Sequence, residues 1–262
     1  MLLIVVALLA LLVHLYVCRG QGTHWLSSRL ATEPRSRSFV SLTTTPQRLV
    51  SPWFETVFLK NLVQMAGASH TILLQIPHIS SKGEVYAIPT NIQDVQSSHF
   101  QIRRLDVDEG PITKVMPALR DPGIQDEDTI IVCDDDIIYR TRTFDLLRSS
   151  VDQFPMSVSC MCTANIAGFK AFAFRKGVLK GLVSLEIPSS CRRIDDDLLE
   201  WYAKHRNIPL VAVPYEGDAQ WTCSMHREIT DTHPTWDELG KEDGNRDVMR
   251  QGCFRALNAH QT

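Results

Sequence analysis

The chain predicts an α/β domain with a mostly parallel sheet flanked by helices, and three observations carry that expectation. Short apolar runs of strand length, residues 71–76 and 129–133, alternate with stretches of helical period, which is the pattern of βαβ units. Hydrophobic residues make up 44% and charged residues 22% of the 262, close to the averages of folded globular domains. Setting aside an apolar N-terminus leaves roughly 225–240 residues, enough for one domain with a sizeable core.

Residues 1–18 carry no charge and are mostly Leu, Val and Ala, so they will partition into a bilayer. A length of roughly 17 residues without a basic n-region favours an uncleaved single-pass anchor over a removed signal. Arg19, Arg29, Arg35 and Arg37 follow it, and by the positive-inside rule they would keep the domain on the cytosolic side. Residues 19–38 are polar and basic, with Gly20, Gly22, Pro34 and several serines, and read as a stem. The domain is expected to occupy 39–262.

Within it, residues 39–43 predict a first strand. Residues 52–65 predict a helix with Pro52 in its first turn and Trp53, Val57, Leu59, Leu62 and Val63 available for burial. Strands follow at 71–76 and 100–107, and then a short helix at 112–119. The run 129–133, bounded by acidic residues, suits a central strand buried on both faces. A helix at 144–154 precedes strands at 158–162 and 169–174. A helix at 195–205 with an acidic start leads into the strand 210–213. The stretch 215–245 is polar and glycine-containing, and a last helix is expected over 246–257.

Charge and cysteine content exclude some classes. A net charge of −3 lacks the basic footprint of a nucleic-acid binder. Seven cysteines, with Cys160 and Cys162 in a C-x-C pattern, form neither a zinc ribbon nor a thioredoxin-like motif. Cys133, inside an apolar run, reads as a small buried hydrophobe.

Two acidic triplets stand out. Asp134, Asp135 and Asp136 directly follow the strand at 129–133, so they arrive at the carboxyl edge of a buried sheet, where open α/β sheets bind ligands. Three adjacent carboxylates repel one another unless solvated or neutralised, and oxygen ligands of this kind suit Mg²⁺ or Mn²⁺ bridging a diphosphate. Asp195, Asp196 and Asp197 come roughly sixty residues later and open a helix. They could simply complement the helix dipole, or one could serve as a general base toward an acceptor hydroxyl.

Gly110, Pro111, Ile112, Thr113 and Lys114 open a helix after Asp106, Val107 and Asp108. The N–H groups of a helix start together with the Lys114 ammonium suit a phosphate, although the glycine spacing of a Walker loop is absent. Ser41, Thr43, Thr44 and Arg48 at the end of the first strand could hold a nucleotide. Toward the C-terminus, His226 and His233 could ligate a metal, and Lys241 or Arg246 could clamp phosphates.

In this order the motifs resemble those of GT-A glycosyltransferases, more narrowly the small single-domain enzymes that read Ser-Leu-Thr-Thr-x-Pro-x-Arg, Asp-x-Gly-Pro-x-Thr-Lys and Asp-Asp-Asp-Ile-x-Tyr. The matching residues are 41–48, 109–114 with Asp106 or Asp108 before them, and 134–139. Residues 174–177 and 194–196 also look like family segments.

The resemblance implies that Thr43, Thr44, Arg48, Asp106 and Asp135 line the donor nucleotide pocket with Lys114 near the donor. It further implies that Asp134 and Asp136 hold Mn²⁺ or Mg²⁺, for which His226 is the further candidate ligand already read from the residues, and that Asp196 or its neighbour Asp195 is the base of an inverting enzyme. A nucleotide-sugar donor, a glycan or other hydroxyl acceptor and a Golgi or endomembrane lumen are the implied partners and location. Asp197, a third carboxylate, departs from the family's acidic pair.

Two other readings compete with this one. A haloacid-dehalogenase-like phosphatase also uses Asp-x-Asp after a strand, but wants the motif near the domain start and Thr or Val where Ile138 stands. An inactive, membrane-tethered GT-A-like binding protein would not need two intact acidic triplets.

Overall fold

The computed structural model describes residues 36–188, 191–214 and 246–259. The predicted anchor, nearly all of the stem, and His226, His233 and Lys241 lie outside them. Among the described residues no helix is long and apolar enough to cross a membrane.

The chain enters the sheet at β1 (Ser38–Thr43), then makes the single-turn helix α1 (Pro46–Leu49). Thr45 caps α1 by accepting the Arg48 N–H, and Pro46 sits in its first turn, where a missing N–H is harmless. A π-helical stretch (Phe54–Leu59) runs into α2 (Lys60–Ala66), which Gly67 ends with a positive φ of 51°. Next come β2 (Thr71–Pro77), α3 (Thr90–Asp94), β3 (Phe100–Leu105), a 3₁₀ turn (Gly110–Lys114) and α4 (Met116–Arg120). The second half contains β4 (Thr129–Val132), α5 (Thr143–Gln153), β5 (Val158–Met161), a 3₁₀ turn (Gly168–Lys170), β6 (Phe172–Arg175) and α6 (Lys176–Leu179). It ends with α7 (Asp195–His205), β7 (Leu210–Val213) and α8 (Arg246–Ala259).

These strands form one sheet in the order β3-β2-β1-β4-β6-β5-β7. β1 is parallel to both β2 and β4, β2 to β3, and β5 to β7, while β6 is antiparallel to β4 and β5. The protein is therefore a mixed α/β fold with a mostly parallel sheet between helices. The antiparallel β6 has a simple cause. Its link to β5, residues 162–171, is shorter than the dozen or more residues a parallel crossover takes.

Alternation along β1, β2 and β4 sorts the core into two halves, one on each face of the sheet. Phe39, Leu73, Ile130 and Val132 face one way and pack with α4 and α7, whose Leu198 and Leu199 are wholly buried. Val40, Leu42, Ile72, Leu74 and Ile131 face the other way against Phe54, Phe58, Leu62 and Leu147. β4 is buried along its whole length, as expected of a strand covered on both sides.

The predicted strand at 169–174 begins later than expected, at Phe172, because residues 168–170 form a 3₁₀ turn. The predicted helix at 112–119 is split at Val115 into the 3₁₀ turn and α4.

At the amino edge of the sheet, Ser38 Oγ lies 2.7 Å from His70 Nδ1, and His70 Nε2 lies 3.3 Å from Asp145 Oδ1. This line of Ser, His and Asp is read as structural, since both Ser38 and His70 are buried. Burial lowers the His70 pKa below 6.5, against the opposing pull of Asp145. The native state thus binds fewer protons here than the unfolded chain, and the stability linked to His70 is complete above about pH 6.5. It is lost as pH falls from there through the lower folded value. Urea titrations of His70→Gln should accordingly show a smaller loss of stability between pH 7 and pH 5 than the unmodified protein.

Candidate active site

Register brings the first motif to the acidic triplet. Ser41 pairs with Val132 across β1 and β4, so three residues further on Thr44 meets Asp135. The Thr44 hydroxyl donates to Asp135 Oδ2 at 2.5 Å. Arg48, held by the capped α1, reaches the same carboxylate at 2.5 Å through Nη1 and Asp136 Oδ2 at 3.2 Å through Nη2. Asp135 most of all, together with Asp136, holds the Arg48 pKa above its usual value despite burial. Thr43 donates its hydroxyl to Gln75 O on β2, while the Tyr86 hydroxyl donates to Thr44 O.

The second triplet reaches the same place from the other side. Lys114, at the end of the 3₁₀ turn, is almost wholly buried with its ammonium 2.7 Å from Asp134 Oδ1, 2.7 Å from Asp195 Oδ2 and 3.8 Å from Asp196 Oδ1. Burial alone would lower its pKa, and the carboxylates of Asp134, Asp195 and Asp196 more than offset that, leaving it well above normal. The approach to Asp195 is ionic rather than a directed hydrogen bond, because Asp195 Oδ2 is a buried oxygen with no hydrogen-bond partner. Asp134 and Asp195, sixty-one positions apart in the chain, therefore share one cation.

Asp196 is the most perturbed acid. Burial raises its pKa first, Lys114 pulls it down, Asp195 and Asp134 push it up, and the Gly168 N–H lowers it again, for a value of about 7. That N–H lies 3.0 Å from Oδ2 and 3.2 Å from Oδ1. A carboxyl group poised near neutrality beside other carboxylates is a mark of acid–base sites.

Gly168, which no sequence signal singled out, is the hub. Its carbonyl accepts from the Tyr139 hydroxyl at 3.0 Å and from the Asp134 N–H at 3.3 Å, and the Tyr139 hydroxyl in turn accepts the Asp134 N–H at 2.8 Å. A Cβ at position 168 would fall 2.6 Å from Lys114 Nζ and still closer to Asp134 Oδ1, so only glycine allows this approach. The connection that presents it is bounded by two non-glycine residues at positive φ, Cys162 (68°) and Ala171 (65°), and strain of that kind concentrates at functional sites. Gly110, at φ 78°, clasps the other side, where a Cβ would come within 2.9 Å of Arg192 O.

The predicted residues thus fall into three groups. Asp134, Asp135, Asp136, Asp195, Asp196, Lys114, Thr44 and Arg48 converge. Thr43 flanks them at the end of β1, and Asp106 stands exposed after β3, the edge strand two places from β1. His226 lies outside the described residues. Lys114 differs from expectation in its surroundings, since it faces three carboxylates rather than an open helix start.

The carboxylate oxygens suit a hard divalent cation. Asp134 and Asp136 are the most open members of the cluster, with side chains 27% and 24% exposed. Among the described residues no group of three His, Cys, Asp or Glu side chains is arranged around a metal position. Mg²⁺-like ions bound through one or two carboxylates plus substrate phosphates need no such cage, so the donor set fits an ion that arrives with a diphosphate.

The cysteines show what composition left open. Cys191 and Cys253 form a disulfide, Cys162 is disulfide-bonded too, and Cys133 and Cys160 are free and buried.

No protein-family model and no curated protein matches this sequence. Solved structures do resemble it in fold. A cytidylyltransferase from Leptospira borgpetersenii is 12% identical with a TM-score of 0.49, over 83% of this chain and 98% of that one. A CMP:2-keto-3-deoxy-manno-octonic acid synthetase complexed with CTP is 12% identical with a TM-score of 0.45, over 84% and 100%. A 2-C-methyl-D-erythritol 4-phosphate cytidylyltransferase from Francisella tularensis is 11% identical with a TM-score of 0.44, over 80% and 99%. Likenesses of this degree carry nothing about the reaction.

Proposed function

We propose that this chain is a metal-dependent glycosyltransferase of the GT-A type, moving a sugar from a nucleotide-sugar donor to an acceptor hydroxyl with inversion. One observation carries the reading: Asp196, with a pKa of about 7, shares the buried Lys114 ammonium with Asp134 of the carboxyl-edge triplet. A base and a diphosphate-binding edge are thereby adjacent.

Asp134 and Asp136 would hold Mg²⁺ or Mn²⁺, which when bound offsets negative charge on the leaving diphosphate. Arg48 and Thr44 fix Asp135 and keep the edge rigid, while Thr43 and Asp106 border the place for the nucleotide. Lys114 steadies the carboxylates on both sides of the reacting centre. Asp196 takes the proton of the acceptor hydroxyl as that oxygen bonds to the anomeric carbon and the sugar–phosphate bond breaks. A neutral Asp196 cannot accept that proton, and a pKa near 7 leaves much of it ionised at physiological pH.

The reading includes an N-terminal membrane anchor and a domain in an endomembrane lumen. The Cys191–Cys253 disulfide supports an oxidising compartment, against the pull of the basic residues after the anchor.

The test is a panel of sugar nucleotides assayed for Mn²⁺-dependent release of nucleoside diphosphate. Release is expected from at least one donor, and Asp134→Asn with Asp136→Asn should remove it while circular dichroism stays unchanged. Release of phosphate from simple esters without a sugar nucleotide would indicate a phosphatase instead. Pyrophosphate from a nucleoside triphosphate would indicate a nucleotidyltransferase, and either result overturns the proposal.

A further inference from the structure

The third carboxylate of the second triplet has no place in an acid–base pair, yet it is engaged. Asp197 Oδ1 lies 3.3 Å from Arg250 Nε on α8, and the Arg250 guanidinium rests 5.4 Å over the Phe254 ring one turn further along the same helix. Three residues beyond Arg250, Cys253 is wholly buried and bonded to Cys191. Cys191 begins the turn that becomes α7: the Ile194 N–H donates to Cys191 O, and the Leu198 N–H to Ile194 O. Leu257 of α8 completes the contact, buried in the same apolar cluster as Leu198, Leu199 and Tyr202. The first turn of α7, which carries Asp195 and Asp196, is thus gripped on both sides by α8, covalently before it and through an ion pair within it.

We infer that α8 is a positioning element for the base, with Asp197 as its docking carboxylate and Arg250 and Cys253 as the positioning residues. Arg250 is 47% exposed, and an ion pair that open adds little to stability. Its worth is in direction. Asp196 must keep its oxygens at the Gly168 N–H while ionised beside Asp195, and a first turn anchored at one end only would rotate to relieve that repulsion. The bond at Cys191 fixes the entry to the turn, and Arg250 draws the carboxylate of Asp197 outward, so that Asp195 and Asp196 face inward.

This inference rests on the glycosyltransferase reading for its kinetic consequence and on geometry alone for its structural one, so the experiment reads both. In the full chain, Arg250→Glu and, separately, Cys191→Ser with Cys253→Ser are compared with the unmodified protein and with Arg250→Lys. Hydrogen exchange at the Gly168 amide is followed by mass spectrometry alongside donor turnover. Exchange at residues 163–170 should rise several-fold in Arg250→Glu and in the cysteine pair variant, and kcat should fall about tenfold with donor KM within twofold. Arg250→Lys should restore most of both. Asp197→Arg combined with Arg250→Asp, which rebuilds the pair in reverse, should recover kcat relative to either single change. Unchanged exchange and kcat in Arg250→Glu would overturn the inference, as would a loss expressed in KM alone. If the unmodified protein turns over no sugar nucleotide, the glycosyltransferase reading fails, and the exchange data still decide whether α8 positions the turn.

Discussion

Lys114→Met is expected to destabilise the fold by about 3–5 kcal/mol, the usual consequence of removing one partner from a buried ion pair. The lysine ammonium is almost wholly enclosed and faces Asp134 and Asp195 at 2.7 Å each. Methionine fills nearly the same space, so packing changes little. What remains is three carboxylates around an uncharged thioether, with Asp195 Oδ2 already short of a hydrogen-bond donor. Urea denaturation should therefore give a lower midpoint with an unchanged slope.

Two further measurements separate charge from packing. Adding Asp195→Asn to Lys114→Met should recover part of the loss, and the double-mutant cycle reports the coupling. Mn²⁺ should also raise the melting temperature of Lys114→Met more than that of the unmodified protein, because a cation binding the native state stabilises it by mass action and here meets unneutralised oxygens. A midpoint like that of the unmodified protein would mean that the ammonium does not hold the cluster together.

Much of this arrangement was legible in the sequence, for identifiable reasons. A continuous apolar strand followed at once by Asp134, Asp135 and Asp136 can deliver its side chains only to a sheet edge, and an acidic helix start such as Asp195, Asp196 and Asp197 keeps its boundaries because dipole and period agree. The convergence of the two triplets depends on long-range register, and there the motif order did what periodicity could not.

The residues that sequence reasoning missed are those whose role is set by their partners. Gly168 lies just before the predicted strand at 169–174, and its importance comes from the nearness of Lys114 and Asp134. Lys114 was expected to face a phosphate because its neighbours in sequence form a helix start, whereas its neighbours in space are acids. The Cys191–Cys253 bond joins positions 62 apart, and connectivity of that kind cannot be deduced from seven cysteines.

Asp196→Asn should separate activity from stability in opposite directions. Asparagine keeps the shape and an oxygen able to accept the Gly168 N–H, but it cannot take a proton from an acceptor hydroxyl. Turnover is expected to fall by roughly 10²–10⁴-fold, the usual contribution of a positioned base, with donor binding retained in a thermal-shift titration.

The stability effect follows from linkage. The native carboxyl group holds its proton to about pH 7, whereas in the unfolded chain it ionises near pH 4. Between those values the folded state binds more protons, so its stability falls as pH rises, and above about pH 7 the full cost of a buried carboxylate is present. Asparagine removes that cost. Metal-free Asp196→Asn should therefore melt roughly 2–8 °C above the unmodified protein at pH 8, corresponding to about 1–2 kcal/mol, and the difference should vanish toward pH 4. Equal melting temperatures at pH 8 would place Asp196 in a solvated setting and remove the basis for its assignment as base. A protein that is more stable without this carboxylate, yet inactive, is one in which the site is held at the expense of the fold, as expected of functional positions.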